Sequence, residues 1–443
     1  MKLNVKQKNT LETFEGGKAA RISVLKELER TVASCFLWES NFYEDGETIS
    51  ERIVNLSRLV TPTELANLAI KTRKVDNIRH APLLMLAVLC QTGKGSDIVS
   101  NTIHEVISRA DELAEFVAVY AKFNGVSPST VKKKLSAQAK KGLAKAFTKF
   151  DAYSLAKYNR DGAVKLRDVL FLSHAKPLNT EQESTWKKLI NNELESPDTW
   201  EVALSSGANK KETFTRLLSE DKLGYLALLR NLRNMVDSGV DTTLIKEKIL
   251  ERKGASKVLP FRYIAAARVA PSLEKELDLA LLDSLNDGLH FKGKTVILVD
   301  VSGSMDDSLS SKSDLSRIDA AATLASIIKG DDVRVFTFSQ DVVEVPHRLG
   351  MAGVEKIYYS QEHRGTYLSR ALTEINGKLS YDRMIVITDE QTADGILPVV
   401  NDTHSYLINV STNKNGVGYG KWVHIDGFSE NVLKFINEYE NSK

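Results

Sequence analysis

Cysteine is almost missing from this chain, with two residues, Cys35 and Cys90, among 443. Each lies in an apolar context, which excludes a disulfide framework or a cysteine zinc pattern and fits a reducing, cytoplasmic setting. A long hydrophobic run is missing as well. The longest, APLLMLAVLC from Ala81 to Cys90, is too short to span a bilayer and reads as a buried helix. The N-terminal stretch MKLNVKQKNTLETFEGG has basic residues but no apolar segment behind them, so no secretory signal is expected and the protein reads as soluble and intracellular. Charge of one sign is also lacking. With 60 Lys and Arg against 58 Asp and Glu, the net charge is +2, so any affinity for nucleic acid must come from local clustering. No G-x-x-x-x-G-K-[ST] phosphate loop occurs, since GKGSD at Gly93 lacks the preceding glycine, and the histidines are scattered rather than clustered around a metal.

What is present divides into two kinds of pattern. From about Ala19 to about Leu285 the apolar residues recur at helical steps, as in DELAEFVAVYAKFNG, where Leu113, Phe116, Val117, Tyr120 and Phe123 share a face and Asn124-Gly125 closes the segment. Thr61-Pro62-Thr63-Glu64 supplies a capping hydroxyl, a proline in the first turn and an acidic residue near a helix start. Helix following helix with short polar breaks predicts an α-solenoid of helix pairs over residues 1–288. From residue 289 to the end, KTVILVDVS, DVRVFTFSQ, DRMIVITDE and HSYLINVST are short β-rich runs, apolar enough for strands buried on both faces. Helical segments lie between them, which predicts a doubly wound α/β domain with a mostly parallel sheet.

In such sheets, ligands bind at the carboxyl ends of the strands. The run KTVILVDVSGSMDD ends in Asp300, Ser302 and Ser304, and RMIVITD ends in Asp389. With Thr366 of HRGTYLSRAL, these form an oxygen-only set of two carboxylates and three hydroxyls. A hard divalent cation, Mg²⁺ in first place, takes oxygen ligands with one or two carboxylates and keeps several waters. The remaining position suits an acidic group brought by a partner. Asp, Ser and Gly also populate ordinary turns, the plainer reading of the same residues. A phosphoryl-accepting aspartate is disfavoured because the position two residues on is Ser302, not a second carboxylate able to act as general acid.

The elements DVSGSM, RGT and VITD, in this chain order, resemble the metal-ion-dependent adhesion site of von Willebrand factor A domains. That resemblance implies that Asp300, Ser302, Ser304, Thr366 and Asp389 hold the metal.

The helical half carries one conspicuous basic stretch. Between Lys132 and Arg167 nine lysines and two arginines face only Asp151 and Asp161, a local excess large enough to attract phosphates. Lys140 belongs to it, and helical spacing places Lys141, Lys145 and Lys149 along one stripe while Leu143, Phe147 and Phe150 face inward. Tyr153 and Tyr158 are available for base stacking. A solvated helix face is the bland alternative for such a run.

GLAKAFTKFDAYSLAKYNRDG with LRDVLFLSHAKP, together with RHAPLLMLAVL, TWEVALS and LGYLALLRNLRNM, resembles the TROVE module of Ro RNA-binding proteins, a family that carries this module ahead of a von Willebrand factor A domain. The resemblance implies a ring of HEAT-like helical repeats that accepts single-stranded ends of misfolded noncoding RNAs and binds Y RNAs on its basic outer surface. It also implies RNA-binding roles for Lys157 and His174. Arg160 falls in a turn about one residue shorter than the commonest family pattern, and Lys165 and Arg167 join the set on charge alone.

These readings converge on a non-enzymatic, cytoplasmic RNA-binding protein that is monomeric without RNA and acts in RNA quality control or as an RNA-dependent adaptor. An exoribonuclease or another protein is the expected source of the acidic group at the metal. The rival reading is a metal-dependent protein-binding component whose helical half is only a scaffold, and salt-dependent RNA binding separates the two.

Overall fold

The computed structural model describes residues 23–33, 46–76, 78–127, 130–131, 134–258, 260–285, 289–309, 315–395, 397–398, 404–411, 416–417, 421–426 and 431–441. Cys35, Lys132, Lys133, the expected helical start at Ala19 and the expected boundary at residue 288 lie outside them. Two compact units emerge, residues 24–33 with 47–207, and residues 208–443. No helix among the described residues is long and apolar enough to cross a membrane.

The first unit is all helical. Its elements are α1 (Val24–Ala33), α2 (Gly46–Ser57), α3 (Pro62–Lys74), α4 (His80–Thr92), α5 (Asp97–Val106), α6 (Ala110–Phe123), α7 (Ala137–Phe147), α8 (Ala152–Tyr158), α9 (Leu166–Ser173), α10 (Thr180–Asn191) and α11 (Trp200–Ser205). Helices pack on their second neighbours as well as their first: α1 on α3, α3 on α5, α5 on α7, α7 on α9, and in a second row α4 on α6, α6 on α8, α8 on α10. That alternation is the signature of a helical-repeat array, in which each repeat buries its apolar face on the next. Helix α4 is buried at every position from Ala81 to Cys90, as its unbroken apolar run requires. Burial pushes the Cys90 thiol up to about 12, so it is inert.

Local chemistry sets the helix ends. Thr61 caps α3 in a reciprocal box with Glu64, the Thr61 amide donating to the Glu64 carboxylate at 2.9 Å and the Glu64 amide to the Thr61 hydroxyl at 3.3 Å. Helix α6 buries Leu113, Phe116, Val117 and Tyr120 and ends at the Asn124 cap, with Gly125 at φ +63°. Gly142 lets α7 approach α5 closely, because a Cβ there would lie 2.8 Å from Ile103 Cβ and 2.9 Å from the Ser100 carbonyl oxygen. Gly142→Val is therefore expected to destabilise the protein by about 1–3 kcal/mol through overpacking. Chemical denaturation checks this, and an unchanged midpoint would contradict the close approach.

The second unit opens with α12 (Lys210–Ser219), α13 (Tyr225–Asp237), α14 (Thr242–Glu251), α15 (Phe261–Val269) and α16 (Glu274–Ser284), again packed on first and second neighbours. The leucine stripe Leu273, Leu277, Leu281 and Leu285 is buried. Helix α16 packs on α14 and α15, and its Asp278 carboxylate accepts the Met351 amide at 2.9 Å.

The sheet contains β1 (His290–Asp300), β2 (Lys329–Phe338), β3 (Val342–Val345), β4 (Arg383–Thr388), β5 (His404–Asn409) and β6 (Val423–Asp426), in the spatial order β3-β2-β1-β4-β5-β6. All neighbours are parallel except β2 and β3. Helices α17 (Arg317–Ala325), α18 (Met351–Tyr358), α19 (Leu368–Lys378) and α20 (Asn431–Asn441) complete the unit. Leu368, Leu372 and Ile375 of α19 pack on Val296, Leu298, Met384 and Val386, while α17 packs on β1, β4 and α18. The central strands are apolar on both faces because helices cover both. Strand order reverses between β1 and β4, and a crevice at the carboxyl ends of those two strands follows from that topology.

Candidate metal centre and nucleic-acid interface

The register sets the geometry of the crevice. Val299 of β1 pairs with Ile387 of β4, so Asp300 and Asp389 leave the sheet side by side, and both are fully buried. Asp300 Oδ1 accepts the Ser302 amide at 2.9 Å, and Oδ2 accepts the Thr388 hydroxyl at 2.6 Å. Ser302 Oγ lies 3.4 Å from Ser304 Oγ, and Ser304 donates to Asp389 Oδ2 at 2.7 Å. The Gly303 amide donates to the Arg364 carbonyl at 2.8 Å, tying the Asp-x-Ser-x-Ser loop to the loop that carries Thr366, which is itself buried. The Thr366 carbonyl in turn accepts the Ala393 amide at 2.9 Å, two residues past Gln391 on the Asp389 loop. The three segments singled out from the sequence thus meet at one place.

Burial, and after it the Asp389 carboxylate, push the Asp300 carboxyl well above the ordinary carboxylate range. Arg317 Nη1 stands 4.0 Å from Asp389 Oδ2, and its Nη2 bonds Asp307 at 3.2 Å. Two buried carboxylates tied to neighbouring hydroxyls fit a hard cation with oxygen ligands. Among the described residues there is no cluster of three His, Cys, Asp or Glu able to hold a metal.

The basic stretch is rearranged by the fold. Helix α7 ends at Phe147, so Lys149 does not continue a stripe with Lys141 and Lys145. Its ammonium instead turns onto the His104 and Ile107 carbonyls at the end of α5, and burial lowers its pKa. Lys145 Nζ bonds the Asn101 side chain at 3.2 Å, and Lys165 Nζ bonds Asp161 at 2.5 Å. Lys140 is half-buried and Lys141 exposed on α7, and Arg160, Arg167 and His174 are exposed. His174 closes α9 at φ +53°. Leu143, Phe147 and Phe150 face the core as the spacing required.

A groove of about 620 Å³ gathers a different set. Lys149 and Lys157 line it together with Tyr153 and Tyr158, and Lys74, His104 and Arg109 join them from other helices. Four cations therefore face one lining carboxylate, Glu105, which is ion-paired to Lys74. The Arg109 guanidinium carbon lies 4.6 Å from the Tyr158 ring centroid and its Nη2 bonds Asp111 at 2.8 Å. Lys157 Nζ lies 5.9 Å from the centroids of both Tyr153 and Tyr158. Burial, and then the Lys149 ammonium, hold His104 below its ordinary value. Lys74, His104 and Arg109 carry no mark in the sequence. They stand roughly 40 to 85 positions from the tyrosines in the chain, and only helix stacking brings them there.

Fold and site together define a helical-repeat array joined to an α/β unit with a carboxylate–hydroxyl crevice at its topological switch point. Residues 191–285 match the TROVE domain. The chain is 33% identical over 89 residues to telomerase protein component 1 of Mus musculus and 32% identical over 89 residues to that of Rattus norvegicus, in each case over 19% of this chain. It spans only 3% of the length of those relatives. The crystal structure of the Ro (RSR) protein of Deinococcus radiodurans shares the fold with a TM-score of 0.61 at 16% identity, covering 94% of this chain and 100% of that one. Over residues 191–285 the chain is thus similar to TROVE-domain proteins, and it shares the fold of the Ro protein.

Proposed function

We propose that this protein is a non-catalytic, cytoplasmic RNA-binding protein that takes single-stranded ends of misfolded noncoding RNA and Y-like RNA, serving RNA quality control. The observation that carries the reading is the groove of the helical unit, where cationic side chains and two tyrosines line one space. Cations neutralise phosphates irrespective of sequence, and aromatic faces stack any base, the combination that single-strand binders use. Lys157, between both rings, is the residue most directly placed to meet a phosphate next to a stacked base. Lys140, Lys141, Lys145, Arg160, Lys165, Arg167 and His174, which lie outside the groove, are read as further RNA contacts. Affinity for a single-stranded RNA is expected to fall with salt at about 0.7 logarithmic units per phosphate neutralised for each logarithmic unit of salt. Filter-binding titrations between low and physiological salt check this, and affinity flat with salt would contradict it.

The α/β unit is read as a von Willebrand factor A-like domain in which Asp300, Ser302, Ser304, Thr366 and Asp389 hold Mg²⁺. When bound, the ion supplies a Lewis-acidic position for an acidic group of a partner such as an exoribonuclease. Asp300 and Asp389 supply the charge, and Ser302 and Ser304 hold those carboxylates in place through their amide and hydroxyl bonds.

A further inference from the structure

We propose that the groove is a seat for one phosphorylated nucleotide, with the phosphate held by Lys74, Lys149 and Lys157 and the base laid on Tyr153. This rests on the RNA-binding reading for the origin of the ligand and goes beyond it in naming the unit recognised. Three observations support it. The volume of about 620 Å³ lies in the range of small-ligand pockets, about 300 to 1,000 Å³. Its positive charge comes from side chains, because the amides of Ser108 and Arg109 at the start of α6 are already taken by Glu112 at 2.7 and 3.0 Å. A compact, doubly charged phosphomonoester can meet Lys157 directly and draw Lys74 and Lys149 from Glu105 and from the His104 and Ile107 carbonyls, a competition that favours it over a singly charged bridging phosphodiester. Finally, the Tyr153 side chain is 54% exposed although it lines the groove, so a large aromatic face stands ready for a planar partner. His104 lines the groove beside these cations.

The phosphorylated nucleoside has two sources, a strand terminus and a free nucleotide. The test uses the full chain and titrates UMP, uridine and inorganic phosphate separately by calorimetry, then competes UMP against a labelled single-stranded RNA. UMP is expected to bind at least tenfold more tightly than uridine or phosphate and to displace the RNA. Tyr153→Ala and Lys74→Gln, both at partly exposed side chains, are each expected to weaken UMP about tenfold, the size of one lost base stack or phosphate contact, with unchanged melting. An oligonucleotide ending in a phosphomonoester that binds more tightly than its free-hydroxyl twin assigns the seat to RNA ends, and equal affinity of the pair assigns it to free nucleotide. RNA binding that UMP cannot displace and that both variants leave intact overturns the seat while leaving the RNA reading standing. UMP binding without any RNA affinity overturns the RNA reading and keeps the seat.

Discussion

Glu112→Ala is expected to destabilise the helical unit by about 3–5 kcal/mol, the cost of leaving a buried partner charge uncompensated. Glu112 is fully buried, and its Oε1 accepts the Arg73 guanidinium at 2.8 Å while Arg73 keeps only 10% of its side chain exposed. Its Oε2 accepts the Ser108 and Arg109 amides, so the same truncation uncaps α6. The loss thus combines an orphaned guanidinium with two orphaned amides. Glu112→Gln retains an acceptor for the amides and should cost visibly less. Urea denaturation of the full chain reads both variants. A loss below about 1 kcal/mol for the alanine variant would mean that Arg73 finds water or another carboxylate, as exposed pairs do. The link to function is direct, because the capped turn presents Arg109 to the groove.

Removing the buried charge at the sheet end should have the second largest effect, and its sign depends on the metal. Asp300 has its carboxyl raised in the folded state by burial and by Asp389. A raised folded value means that the native state holds the proton more tightly than the unfolded chain. The associated stability is fully present below the unfolded carboxylate range and is lost as pH rises through the folded value. Chelated wild-type protein should therefore lose stability over that window, and Asp300→Asn should flatten the loss. Added Mg²⁺ at a hundred times its Kd should stabilise the wild type by about 2.7 kcal/mol. The same addition should leave Asp300→Asn unmoved. Melting curves with chelator and with Mg²⁺ across that pH range check both halves. Equal Mg²⁺ responses in the two proteins would remove Asp300 from the ligand set.

The strand-end half of the site was legible because it is local. Asp300, Ser302 and Ser304 follow an apolar run that only a buried strand explains, and Asp389 closes another, so parallel pairing brings them together without further information. Short edge elements were not legible. Strand β3 has four residues, and its Glu344 is paired with Arg334 of β2 at 2.7 Å, so an exposed edge held by charge hid its apolar pattern. Strand β6 and helices α18 and α20 were likewise missed, being short or placed after glycine-rich breaks that give no periodic signal. On the helical half, spacing identified the core face of α7 and the two tyrosines but misjudged the lysines. A stripe argument assumes an unbroken helix, and the end of α7 at Phe147 sends Lys149 back onto carbonyl oxygens. Of the groove's cations, Lys149 and Lys157 belong to the basic stretch, whereas Lys74 comes from α3 and Arg109 from the turn that opens α6, contacts of high sequence separation that no local pattern encodes.

The central claim is that RNA is held at the groove of the helical unit, and photo-crosslinking measures it most directly. A single-stranded RNA carrying 4-thiouridine, crosslinked to the full chain at physiological salt and digested for mass spectrometry, should place nucleotide adducts on Tyr153, Tyr158 and the segment around Lys157. Adducts confined to other surfaces, with none on these residues under saturating RNA, would contradict the account.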